Sequence, residues 1–226
     1  MEKSREPVYQ VAEIFQSING EGQHAGERAA FIRMKGCNLN CSYCDTSWAN
    51  GPEAECVEMR TDDILRRLED FHIKNVTVTG GEPLLQDRAD VLLRALAVQG
   101  YRVEIETNGS VPLAQYRGIS PAVVFTIDYK LPGSGMESRM LSENFHGLTS
   151  DDTVKFVVSD RADLERAYDV FQREMTECPG AVFLSPVFDR IEPQEIVAFM
   201  TKKHWNRARL QLQIHKIIWE PTARGV

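Results

Sequence analysis

Cys37, Cys41 and Cys44 fall within eight positions of one another in the stretch MKGCNLNCSYCDTSW, residues 34–48. A spacing of three and then two intervening residues lets one tight loop aim three thiolates at a common point, which is metal chemistry. One solution is structural zinc, normally four-coordinate, with Cys56 or a histidine closing the tetrahedron. Against it, eleven residues including NGPE separate Cys44 from Cys56, and no second paired knuckle follows. The other solution is a 4Fe-4S cluster, in which three cysteines leave one iron open for an exogenous ligand.

Such a loop needs a scaffold that holds it still. Short β-rich runs occur at 9–15, 29–34, 75–80, 101–107, 122–129, 153–159 and 181–187. Between them, apolar residues recur on single helical faces. These are Ile64, Leu65, Leu68 and Phe71; Leu92, Leu93 and Leu96; Leu164, Ala167, Tyr168 and Phe171; and Ile196, Phe199 and Met200. Thr61 before Asp62 and Asp63 reads as an N-cap with an acidic first turn. Strand, helix, strand in repetition predicts an α/β protein with a mainly parallel sheet and helices outside, either doubly wound or a full or partial barrel.

In either architecture ligands sit at the carboxyl ends of the strands. Cys37, Gly80-Gly81-Glu82, Thr107-Asn108-Gly109 and Lys130 each follow a predicted strand, so four strand ends converge on one face. Glu104 and Glu106 share the strand face opposite Val103 and Ile105, toward a polar lumen. Arg33 alternates with Ile32 and Met34; if these pack against helices, its charge faces the lumen, where it needs a partner. That partner is either a structural carboxylate or the carboxylate of a ligand.

The chain has 226 residues, enough for a single domain spanning 1–226 without disulfide support. Apolar residues make up 42% and charged residues 26%, which excludes wholesale disorder. A formal charge of -7 without a long basic run argues against nucleic acid as a partner. No apolar run reaches the roughly 18 to 20 residues of a membrane helix. The N-terminus MEKSREPVYQ lacks the apolar core of a signal peptide, which predicts a cytoplasmic protein. Five cysteines, an odd number, point to metal or catalysis more than to disulfides. Cys56 and Cys178 match no cluster position and read as small buried residues; Trp48, Trp205 and Trp219 need no cofactor to explain them.

The cysteine spacing, with Tyr43 directly before the last cysteine, resembles the signature of the radical S-adenosylmethionine (SAM) superfamily. The resemblance implies a partial (β/α) barrel of the radical SAM type and a 4Fe-4S cluster on Cys37, Cys41 and Cys44. SAM would chelate the open iron and be cleaved to a 5'-deoxyadenosyl radical. GGEP, residues 80–83, resembles the superfamily's motif for the SAM amino group: Gly80 and Gly81 permit close backbone approach, and Glu82 accepts from the ammonium. Tyr43 and Asp45, flanking Cys44, are assigned to the cofactor on the same basis.

The stretch IFQSINGEGQHAGERAAFIRMKGCNLNCSYCDT resembles the 7-carboxy-7-deazaguanine synthase family, and the resemblance continues through TGGEP, ETNGS, TIDYKLPGSGM and QIHKIIWEPTARGV. It implies conversion of 6-carboxy-5,6,7,8-tetrahydropterin to 7-carboxy-7-deazaguanine with loss of ammonia, on a route to queuosine and related deazapurines. The radical would take hydrogen from C6, and SAM would be regenerated. By the same resemblance Ile18, Asn19, Gly20, Glu21, Arg33, Thr107 and His215 meet the substrate. Gly109, Asp128 and Lys130 meet SAM, although Asp128 and Tyr129 stand where many relatives carry Ser-Pro. Thr46 would be a protein ligand to Mg2+, a hard ion that accepts hydroxyl oxygen and retains water. A flavodoxin or ferredoxin reductant and a homodimer are the expected partners. The competing readings are an activating enzyme that makes a glycyl radical on a protein, and a non-catalytic zinc module.

Overall fold

The structure is a computed structural model and describes residues 6–226. It opens with a hairpin of β1 (Val8–Ile18) and β2 (Arg28–Met34). There follow β3 (Val57–Arg60), α1 (Thr61–Glu69), β4 (Asn75–Gly80), α2 (Ala89–Val98), β5 (Arg102–Thr107) and β6 (Val123–Tyr129). The chain ends with β7 (Thr153–Val158), α3 (Arg161–Val170), β8 (Ala181–Pro186), α4 (Pro193–Lys203), β9 (Ala208–Leu210) and the short α5 (His215–Ile218). All strands form one sheet of order β3-β1-β2-β4-β5-β6-β7-β8-β9. β1 pairs antiparallel with β2 and β3, and every step from β2 to β9 is parallel.

This order settles the alternative left by the sequence. A doubly wound sheet reverses its strand order at a switch point; here the parallel strands follow chain order without reversal. The winding is that of a (β/α) barrel that stops short of closure. The seven predicted strands are present, with ends shifted by up to three residues. β3 and β9 were not anticipated, being four and three residues long at the two sheet edges. Thr61 is not the N-cap: α1 begins there, Arg60 holds the capping position, and the Asp63 carboxylate accepts from the Arg60 N–H at 3.1 Å.

Fully sandwiched parallel strands usually read as continuous apolar runs, whereas these alternate. Ile32, Val76, Val78, Val103, Ile105, Phe125, Ile127, Val154 and Phe156 are buried in the core that also takes Ile64, Leu68, Leu92, Leu96, Leu164, Ile196 and Phe199 from the helices. The intervening residues include Arg33, Thr79, Glu106, Thr126, Asp128 and Lys155, and all of these line one cavity. Period-two alternation thus divides each strand between an apolar outer layer and a polar lumen.

The open side of the barrel is spanned by the loop between β1 and β2. Gly22 N–H donates to the Gln211 side chain at 2.9 Å, and the Gln211 amide donates back to Gly22 C=O at 3.0 Å. Ile214 N–H reaches Gly20 C=O at 3.1 Å. Backbone groups of the first hairpin are thereby satisfied by the segment that follows the last strand, which a strand ladder would otherwise have to do.

Candidate active site

The cavity at the carboxyl ends of the strands has a volume of about 470 Å³. The cysteine loop, immediately after β2, forms part of its wall, and Cys37, Cys41 and Cys44 all line it. Two backbone segments clamp this loop. Gly81 N–H donates to Met34 C=O at 3.2 Å and Glu82 N–H to Gly36 C=O at 2.8 Å. On the other side Ser42 donates from its N–H to Ser134 C=O at 3.0 Å and from its hydroxyl to Gly133 C=O at 2.7 Å.

The glycines of GGEP serve this packing directly. A Cβ on Gly80, whose φ is +138°, would lie 2.2 Å from the Met34 carbonyl oxygen, and one on Gly81 would lie 2.0 Å from that of Gly36. Hydrogen is the only substituent both positions tolerate. Both residues also line the cavity.

Two of the sulfur atoms, those of Cys37 and Cys44, face amide donors. Leu39 N–H lies 3.4 Å and Asn108 Nδ2 3.6 Å from Cys37 Sγ, and Asn50 Nδ2 lies 3.4 Å from Cys44 Sγ. Burial pushes the Cys41 thiol up to about 11, and burial likewise raises that of Cys37. Such thiols ionise readily only against a cation, and N–H donors aimed at sulfur suit the resulting thiolates. Cys56, the sequence's candidate fourth zinc ligand, is only half-buried and does not line the cavity. Among the described residues no three His, Cys, Asp or Glu side chains converge closely enough to hold a single ion. The donor set fits a cluster with an open iron better than a closed zinc tetrahedron. Cys178 is buried, as expected.

Thr46 lines the cavity beside Cys44, at 3.6 Å from Oγ1 to Sγ. It precedes the 3-10 turn Ser47–Ala49 without capping it; its hydroxyl meets the Cys44 sulfur instead, and a lone pair of the oxygen remains for a hard cation.

Away from the thiols the walls are charged. The guanidinium of Arg33 is 2.7 Å from Glu13 Oε1 and packs against the rings of Phe15 and Trp48, at 5.7 and 5.9 Å from their centroids. Phe15, Trp48, Glu13 and Arg33 all line the cavity. Trp48 therefore does more than pack. Glu21 is held by Lys155 Nζ at 3.0 Å and Ser185 Oγ at 3.0 Å, and Lys155 keeps its carboxyl below the ordinary range against the opposing effect of burial. His215 is pressed against Gly20, where a Cβ would come 2.1 Å from Nδ1. Burial lowers its pKa, partly offset by Glu21, so at neutral pH the ring is uncharged. Lys130 Nζ lies 2.8 Å from Asp128 Oδ2, while Asp128 Oδ1 is buried with no hydrogen-bond partner.

Of the predicted site residues, Ile18, Gly20, Glu21, Arg33, Tyr43, Asp45, Thr107, Asp128, Lys130 and His215 come together around this cavity with the cysteines, Thr46, Gly80 and Gly81. Tyr43 donates its hydroxyl to Val157 C=O at 3.2 Å, and Asp45 pairs with Lys216 at 3.0 Å. Three others stand apart from it. The buried Asn19 side chain accepts from the Thr77 hydroxyl at 2.9 Å, anchoring its loop to β4. Glu82 is fully buried, out of reach of a ligand, and burial raises its carboxyl to about 7 against the lowering effect of the Asn108, Leu84 and Thr107 donors it accepts from. Gly109, at φ +74°, packs against Ile127. Sequence reasoning missed Thr79, Thr126 and Lys155. Each is a polar residue at an inward position of a strand whose outward positions are apolar, and that alternation was the available signal.

Residues 31–133 match the Radical SAM superfamily. Over 219 residues, 96% of this chain and 99% of the relative, the sequence is 49% identical to a 7-carboxy-7-deazaguanine synthase of Clostridium acetobutylicum. It is 37% identical over 228 residues to a synthase of the same name from Chlorobaculum tepidum, covering 99% of this chain and all of that one, 100%. The crystal structure of QueE from Escherichia coli superposes with a TM-score of 0.73 over 91% of this chain and 94% of that chain, at 23% identity. SuiB of Streptococcus suis bound to precursor peptide SuiA superposes with a TM-score of 0.59 over 80% of this chain and 47% of that chain, at 16% identity. Those two likenesses are of fold. Near full-length similarity to curated synthases, on a barrel whose mouth carries three thiols in one loop, leads to one conclusion: the chain belongs to the 7-carboxy-7-deazaguanine synthase family of the radical SAM superfamily.

Proposed function

We propose that this chain converts 6-carboxy-5,6,7,8-tetrahydropterin into 7-carboxy-7-deazaguanine with release of ammonia. The observation that carries the reading is the shared cavity: Arg33, Glu21 and His215 line the same volume as the three thiols and Thr46. An activating enzyme for a protein radical would need a docking surface, and has no use for an arginine and a hard-ion ligand beside its cluster.

Cys37, Cys41 and Cys44 hold the 4Fe-4S cluster, Thr46 holds Mg2+, and Asp128, Lys130 and the Gly80-Gly81 backbone hold SAM. When bound, these groups supply the radical initiation and Lewis-acid chemistry of the reaction. The remaining work is positioning. Arg33, braced by Glu13 and two aromatic rings, presents a fixed guanidinium to the substrate carboxylate. Glu21, kept ionised by Lys155, accepts from the N–H groups of the pyrimidinone edge, and neutral His215 meets the same ring. Phe15, Phe31 and Trp48 exclude water from the reacting carbon. The enzyme works as a homodimer in the cytoplasm, reduced by a flavodoxin or ferredoxin, and acts on neither nucleic acid nor membranes; no helix among the described residues is long and apolar enough to cross a membrane.

The test is an anaerobic assay of reconstituted protein with dithionite, SAM, Mg2+ and the carboxytetrahydropterin, read by product mass. Product is expected from the native chain and none from Cys41→Ala. SAM cleavage without product would discard the pterin substrate and bring forward a protein substrate. Light scattering checks the dimer.

A further inference from the structure

Lys155 is a buried cation for which neither the cluster nor the substrate carboxylate provides a reason. It lies on an inward position of β7, in register with Asp128 on the neighbouring β6, and also reaches a second carboxylate, Glu21 of the β1–β2 loop. Its Nζ is 3.0 Å from Glu21 Oε2 and 3.6 Å from Asp128 Oδ2, and the three side chains are only 9%, 10% and 16% exposed. Each carboxylate has one further donor, Ser185 for Glu21 and Lys130 for Asp128. Glu106 also lines this volume, and Glu104 on β5 is close enough for the Lys155 charge to lower its carboxyl's pKa. Desolvated charges this close are tolerated only in balance, so removing one cation is felt by every carboxylate that shares it. Glu21 sits on the β1–β2 loop and Asp128 on β6, and they make no direct contact that would couple them otherwise.

We propose that Lys155 is a positioning residue that couples the pterin end of the cavity to the SAM end by sharing its ammonium between Glu21 and Asp128. The inference rests on the functional reading above, which sets Glu21 against the substrate and Asp128 against SAM. A charge change at either carboxylate redistributes the ammonium toward the other. The two ends are then linked through one movable cation, and the linkage is reciprocal.

The test measures equilibrium SAM binding to the cluster-reconstituted protein, together with substrate KM and kcat. Lys155→Met is expected to weaken SAM binding and raise substrate KM, each by roughly tenfold or more, the scale of a charge-assisted hydrogen bond; Lys155→Arg recovers most of both. In the native background Glu21→Gln shifts SAM affinity and Asp128→Asn shifts substrate KM, whereas in the Lys155→Met background these cross-site effects vanish. The proposal is overturned if Lys155→Met moves only one of the two affinities, or if the cross-site effects are absent or survive it. Should Lys155→Met fail to fold, Glu21→Gln and Asp128→Asn still decide: independence of the two ends refutes the coupling. A native enzyme that makes no 7-carboxy-7-deazaguanine defeats the functional reading, whereas a productive enzyme with independent ends defeats this inference alone.

Discussion

Both carboxylate oxygens of Glu82 lie 3.0 Å from the hydroxyl of Thr107, and one accepts the Asn108 N–H at 2.7 Å. The end of β4 is thereby tied to the end of β5, beneath the turn whose Asn108 faces Cys37. Glu82→Ala leaves the buried N–H groups of Leu84 and Asn108 without acceptors, at a cost of about 1–3 kcal/mol each. A marked drop in melting temperature and poor iron incorporation should follow. Glu82→Gln keeps one acceptor oxygen and should retain the cluster. Native stability and iron content in Glu82→Ala, with SAM binding lost, would instead make Glu82 a direct SAM contact.

Arg33 has a protein partner and a cavity face at once, and kinetics separate them. Arg33→Ala should lower kcat/KM at least roughly 100-fold, because a bidentate charged contact contributes on the order of 3 kcal/mol. Arg33→Lys should recover little of it, since an ammonium lacks the planar fork. Glu13→Gln should cost far less. Equal losses in Arg33→Ala and Glu13→Gln, measured by steady-state kinetics, would reduce Arg33 to one half of a structural ion pair.

Glu104 accepts from the Thr126 hydroxyl at 2.6 Å, and burial, reinforced by Glu106, raises its carboxyl from 4.5 to about 7. The folded chain therefore binds a proton in that window that the unfolded chain has released. Its stabilising effect is fully present below about 4.5 and lost as pH rises through about 7. Glu104→Gln mimics the protonated form. It should match the native protein at pH 4.5 and exceed its stability at pH 8 by on the order of 2 kcal/mol, read from urea midpoints across pH. Glu82, raised to a similar value, contributes a slope of the same sign to both proteins. An unchanged difference between the two proteins at both pH values would count against a neutral Glu104.

Asn50 donates from Nδ2 to Cys44 Sγ at 3.4 Å while its Oδ1 is buried without a partner. A donor to a thiolate favours the reduced, more negative cluster. Asn50→Leu should therefore lower the midpoint potential by tens of millivolts, where 59 mV is a tenfold change in a one-electron equilibrium. A redox titration followed by electron paramagnetic resonance reads this without reference to turnover. No shift would leave Asn50 as packing only.

What the sequence determined follows from local rules. Three cysteines at fixed short spacing cannot avoid sharing a loop, alternation sets which strand residues face inward, and the order of strands and helices sets the class of fold. Arg33 was legible because Ile32 and Met34 had to be buried on the other face, as they are. What only the tertiary structure decided depends on groups far apart in the chain. Bridging of the barrel's open side by Gln211 on Gly22, 189 residues away, cannot be read from either segment. Nor can the burial of Asn19 against Thr77 or of Glu82 against Thr107, which puts both outside the cavity. Lys155 carried an inward-facing position in the sequence, but its meaning arose when Glu21, 134 residues earlier, was brought to 3.0 Å. Electrostatic energy depends on distance and desolvation, and long-range folding alone sets both.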